Sequence, residues 1–144
     1  VTEALQMAQI RIKLEIEGIR HAAVNFGEAE FDHISRLFSS MDEAAEADDQ
    51  YTISELDRKL HMCIFRASGL VTLEPIMMRC ALHLHLYTFG NPEPPGEKQP
   101  PSVAHQPILN ALAAHDPDSA AQAMQAHIAK VIETWAPPLH AALK

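Results

Sequence analysis

"LHLHLY", Leu82 to Tyr87, decides the fold class of this chain. Apolar and polar residues alternate there with period two, the mark of a half-buried strand that would carry His83 and His85 on one face. The stretch lies, however, inside an apolar run from about Val71 to Phe89 with good helix formers on both sides. Elsewhere strict alternation over a strand's length is rare, and no Asn-Gly or Asp-Gly pair marks a hairpin. The reading is helix, and the fold class is all-α.

Outward from that run, the apolar spacing is helical almost throughout and predicts about six helices. The first covers roughly Thr2 to Asn25, with Ile10, Leu14, Ile19 and Ala22 facing inward, and is punctuated by Gly27. A second, roughly Glu28 to Ala47, sets Phe31, Ile34, Leu37, Phe38 and Met41 at helical spacing. After the acidic break "EADDQ", a third runs from about Ile53 to Ala67 and stops at Ser68-Gly69. The fourth is the Val71 to Phe89 run; apolar nearly all round, it is expected at the centre of the molecule. "GNPEPPGEKQPP", Gly90 to Pro101, is too rich in proline for helix or central strand. A fifth helix covers roughly Ser102 to Ala114. A sixth, capped by Asp118 or Ser119, runs to about Ala136, where Pro137-Pro138 ends it.

A chain of 144 residues reads as one domain with room for a core. Eleven Lys plus Arg against nineteen Asp plus Glu give a net charge of −8, which argues against this chain gripping nucleic acid by itself. No apolar run approaches the roughly 20 residues that span a bilayer, and no signal peptide is visible. Cys63 and Cys80 lie in apolar helical stretches without CxxC spacing and read as buried free thiols in a reducing cytoplasm. The start at Val1 rather than Met is that of a fragment of a longer chain.

Nine histidines are the unusual feature. A metal site in a helical bundle needs ligands that face inward from several helices. In the third helix Ile53, Asp57, His61 and Ile64 form one stripe, while Arg58 and Lys59 point elsewhere. In the fifth, His105 shares a stripe with Ile108, Leu109 and Leu112. In the sixth, Ala120, Met124, His127, Val131 and Trp135 do the same. Three helices thus each bring a histidine to a buried face, and one adds a carboxylate that needs a cationic partner. Two readings stay open on the stripes alone: a divalent metal shared by Asp57, His61, His105 and His127, or hydrogen-bonded core histidines. Of the rest, His21 pairs with Glu17 on the surface. Glu30-x-x-His33 is the di-iron bundle unit, but it occurs once where such bundles need two. His115 sits at a helix end and His140 in the tail. Arg79 and His83, one turn apart, are assigned to a cavity wall; His85 faces another way and is given no role.

Asp57-x-x-x-His61, "RASG", a proline-bearing connection, His105-Gln-Pro-Ile-Leu, "AAHDPDSA" and Met124-Gln-Ala-His127 resemble, in order and spacing, the FCD domain. This is the effector-binding and dimerisation domain of FadR-type GntR transcription regulators. "IRIKLE", Ile10 to Glu15, resembles the family's opening, and the match spans roughly residues 10 to 130. The resemblance implies an antiparallel bundle of six to seven helices around a metal and effector cavity, with Asp57, His61, His105 and His127 holding one divalent ion. Zn and Ni are foremost; Mn, Co and Fe also fit the type. It further implies a small organic acid effector beside the metal, with Arg11 facing the cavity and His83 at a commonly basic position. It implies a homodimer too, and DNA contact through an N-terminal winged helix absent from this chain. Leu60, Leu70 and Ala104 stand where the family usually has Phe, Asn and Glu; none of these changes removes a ligand.

Two other functions compete. A helical metallohydrolase would need a general base beside a metal-bound water, and the stripes leave no inward Glu or Asp over. A plain dimerisation module would carry neutral core histidines and no metal.

Overall fold

The computed structural model describes residues 2–89 and 99–144, with backbone alone for 87–89. All regular structure among them is helical: α1 (Thr2–Asn25), α2 (Glu28–Glu46), α3 (Gln50–Ala67), α4 (Glu74–Phe89), α5 (Pro101–Ala113), α6 (Pro117–Trp135) and α7 (Pro137–Leu143), with a short 3-10 turn, Val71–Leu73, before α4. "LHLHLY" is helix. The proline-rich connection lies, except for its last residues, outside the described residues.

Helix starts carry their own chemistry. Asp49, from the acidic break, caps α3 by accepting the Thr52 N–H at 3.0 Å, which moves the start upstream of Ile53. Asp116, not Asp118 or Ser119, caps α6 by accepting from Ser119 N–H at 3.1 Å, and Pro117 takes the first helical position. The start of α5 is held from outside: Asp42 of α2 accepts from the Ser102 N–H at 3.0 Å and from its hydroxyl at 2.5 Å. Pro137-Pro138 ends α6 but also opens α7, because proline is preorganised for a first helical turn. Leu139 of α7 is fully buried, and the described residues form seven α-helices where six are expected.

The centre belongs to α1, which packs against α3, α4, α5, α6 and α7. Its buried ridge is Ala4, Ala8, Arg11, Glu15, Gly18, Ile19, Ala22 and Ala23. Small residues let neighbouring helices approach. A Cβ on Gly18 would meet the Phe65 ring of α3 at 2.6 Å. Ile10, expected inside, is exposed, as is Phe31. The expectation that α4 is central fails for the same reason: α1 occupies that place, and α4 lies at the side with Met78, Leu82 and Leu86 exposed. The core is filled by Ile19, Ile34, Met41, Leu60, Leu112, Met124 and Ile132, each burial contributing roughly 1.5–3 kcal/mol. No helix among the described residues is long and apolar enough to cross a membrane.

Candidate functional site

Inside this frame lies a cavity of about 410 Å³, walled by residues of α1 to α6. Its walls are mostly apolar, with Met41, Ile53, Leu84, Ile128, Val131 and Trp135 among them. At one part of the wall four side chains converge. Asp57 and His61 project from α3, His105 from α5 and His127 from α6, and one ligand atom from each lies within 4.8 Å of every other.

The orientation of each ring follows from what its far nitrogen touches. His61 Nδ1–H donates to the buried carboxylate of Glu15, so His61 Nε2 is left to face the cluster. His105 Nδ1–H donates to the Pro101 carbonyl at 2.7 Å, one turn back on α5, and likewise frees Nε2. His61 Nε2 and His127 Nε2 are 3.3 Å apart. Asp57 Oδ1 lies 2.9 Å from His105 Nε2 and 3.8 Å from His61 Nε2. Yet His105 Nε2 is buried without an aligned hydrogen-bond partner. A buried nitrogen with its lone pair aimed at other acceptors needs a proton or a metal ion among them.

Electrostatics point the same way. Burial opposes ionisation of Asp57, but His61, His105 and His127 around it hold its carboxyl far below the usual carboxylate range. Burial and the neighbouring His105 and His61 push the His127 imidazole down to about 3, so it is neutral and able to ligate. His105 moves upward: burial works against its charge, and the Asp57 carboxylate outweighs it. Glu15 is held down to about 2, because Arg11 and His61 overcome the cost of its burial. With neutral imidazoles, Asp57, Glu15 and Arg11 sum to one negative charge in a buried place, an arrangement that suits a cation.

The donor set passes a test of fit. Opposite ligands of one ion at roughly 2.0–2.2 Å are at most about 4.4 Å apart. The cluster therefore needs to contract by only a few tenths of an ångström. Three imidazoles and a carboxylate accommodate Zn, Ni, Co, Mn or Fe, with geometry deciding among them.

Arg11 lies on the cavity wall, its Nε paired with Glu15. Arg79 is exposed on α4 and His83 does not reach the cavity; it is His85, two positions on, that does. Arg58, expected to point elsewhere, also lines the cavity. Glu15 is the inward carboxylate that the stripes did not reveal. Its oxygens are engaged by Arg11 and by the far side of His61, so it orients the His61 ring rather than standing as a base beside the cluster. His115 sits at φ 53° after α5 and its Nδ1 bonds the Ala23 carbonyl at 2.9 Å, a structural role. His21 pairs with Glu17 at 3.0 Å on the surface.

Residues 6–130 match the FCD domain family. Among solved structures, Streptococcus agalactiae GntR superposes with a TM-score of 0.74 at 20% identity, over 90% of this chain and 58% of that one. E. coli McbR/YncC superposes with a TM-score of 0.75 at 17% identity, over 96% of this chain and 65% of that one. The chain thus spans less than two thirds of either, and at such identity the likeness concerns the fold. No curated protein matches the sequence.

Proposed function

The chain belongs to the FCD domain family, the non-enzymatic effector-binding part of GntR-type regulators, and on that premise we propose that it senses a small carboxylic acid through one divalent metal ion held by Asp57, His61, His105 and His127. The observation that supports the reading is the convergence of those four side chains, with the buried His105 Nε2 set 2.9 Å from Asp57 Oδ1. Zn or Ni is the first choice of ion; Mn, Co and Fe follow. Bound there, the ion supplies positive charge and open coordination positions for a carboxylate. Arg11 spends its Nε on Glu15 and keeps its terminal nitrogens for the acid. Apolar walls exclude water and favour the less polar part of the effector.

The whole regulator, on this reading, is a cytoplasmic homodimer that contacts DNA through an N-terminal domain outside this chain. The exposed apolar residues of α4, with Leu82 46% and Leu86 63% accessible, are where we place the second copy. Acetate tests the effector reading in its simplest form. It should raise the melting temperature of metal-loaded protein in proportion to its concentration and leave chelator-treated protein unmoved. An equal response in both would contradict a metal-borne carboxylate site.

A further inference from the structure

The cavity extends well past the four converging side chains. His127, Val131 and Trp135 stand at i, i+4 and i+8 on α6, one above the other on a single face, and all three line it. Its wall therefore runs two turns, about 12 Å, from the cluster to Trp135. Ile53, one turn from Asp57 on α3, Leu84 of α4 and Ile128 of α6 make the same space apolar. A volume of about 410 Å³ falls in the range that encloses a whole small-molecule ligand, far beyond what acetate fills. The guanidinium charges on the wall are already matched. Arg11 pairs with Glu15, and Arg58 Nη2 donates to Glu55 Oε2 at 2.8 Å. With neutral imidazoles, a divalent ion beside Asp57 leaves one positive charge over, which one carboxylate cancels.

We infer that the effector is a monocarboxylic acid with an apolar tail, its carboxylate at the metal and its tail lying along α6 toward Trp135. The inference rests on the carboxylate-at-metal reading above and adds the class of acid. A second carboxylate would bring a negative charge among Ile53, Val131 and Trp135, with no unmatched cation to meet it. Gln50 and Ser54 also line the cavity, but both are uncharged and leave that charge uncancelled. An apolar tail instead withdraws its own surface and that of the walls from water, and gains affinity with each carbon.

Acetate, butyrate, hexanoate and hexanedioate test it by calorimetric titration of the metal-loaded protein at about pH 8, where an ordinary imidazole is neutral. Each buried methylene should tighten binding roughly fourfold, so hexanoate should bind about 100-fold or more tighter than acetate. Hexanedioate, which carries a carboxylate in place of the terminal methyl, should bind about tenfold or more weaker than hexanoate. A flat series in the wild type, or hexanedioate that binds as tightly as hexanoate, overturns the inference, and neither result needs a variant to fold. If acetate still binds in that case, the metal anchor stands without the tail. Val131→Asp sets a charge on the path of the tail and should flatten the series; a series that survives it overturns the placement along α6. Chelator-treated protein tests the anchor separately. Loss of binding of all the acids there supports anchor and tail together. A chain-length series that persists without metal supports the apolar channel and overturns the anchor on which its placement was built.

Discussion

Glu15 determines which way His61 faces. By accepting from Nδ1 it fixes the tautomer that presents Nε2 to Asp57 and His127, and Arg11 keeps it ionised in a buried place. Glu15→Gln should therefore weaken Zn or Ni binding by roughly 10- to 100-fold in a competition titration while leaving all four ligands in place; unchanged affinity would remove the orienting role. Its ionisation also ties stability to pH. The folded pKa, near 2, lies below the ordinary carboxylate value, so the contribution is fully present above about pH 4.5 and is lost as pH falls toward 2. Urea unfolding of metal-free protein across that window should show a steeper acid decline for wild type than for Glu15→Gln, by up to about 3 kcal/mol; parallel curves would contradict it. Glu15 is hard to read from the sequence because "KLEIEG" has the pattern of an ordinary solvated face. Its one signal was Arg11 a turn earlier, in register with Ala8, Gly18 and Ala22. His61, His105 and His127 were legible because each interrupts an otherwise apolar stripe. The step from Arg79 and His83 to His85 is a rotation on α4, which an all-round apolar helix leaves undetermined.

Among the elements, α1 shows how an inward face can hide. Its buried ridge is made of small and charged residues, so hydropathy favours Ile10, which is exposed, over Ala8 and Gly18, which are not. The larger apolar residues of α4 drew the opposite expectation, because apolar surface that is left exposed reads like core. Gly18 is the contact that lets α1 lie against α3. Gly18→Ala forces the Phe65 ring aside and should destabilise the domain by about 1–3 kcal/mol in urea, despite alanine's better helix propensity. A neutral or stabilising result would mean that the ring moves at no cost. Helix lengths follow from apolar periodicity, but two starts lie upstream of the sequence reading, at Asp49 rather than Ile53 and at Asp116 rather than Asp118 or Ser119. A proline pair that closes one helix and opens the next looks like a plain stop in sequence, so α7 leaves no mark there beyond Leu139, whose burial holds it to the core.

For the whole molecule, six helices close around a cavity whose four converging side chains come from three of them, so a metal held there would tie α3, α5 and α6 together. Sedimentation at micromolar concentration should show a species of about twice 15.9 kDa, shifted to monomer by Leu82→Glu together with Leu86→Glu; a wild-type monomer would refute pairing through α4. The claim on which the rest depends is the metal itself. Elemental analysis of protein loaded with Zn or Ni and then desalted addresses it most directly. The account predicts one equivalent of metal per chain in the wild type and a small fraction of that in folded His127→Ala. Metal-free wild type, or His127→Ala that keeps a full equivalent, would contradict it and leave the four side chains as a hydrogen-bonded core.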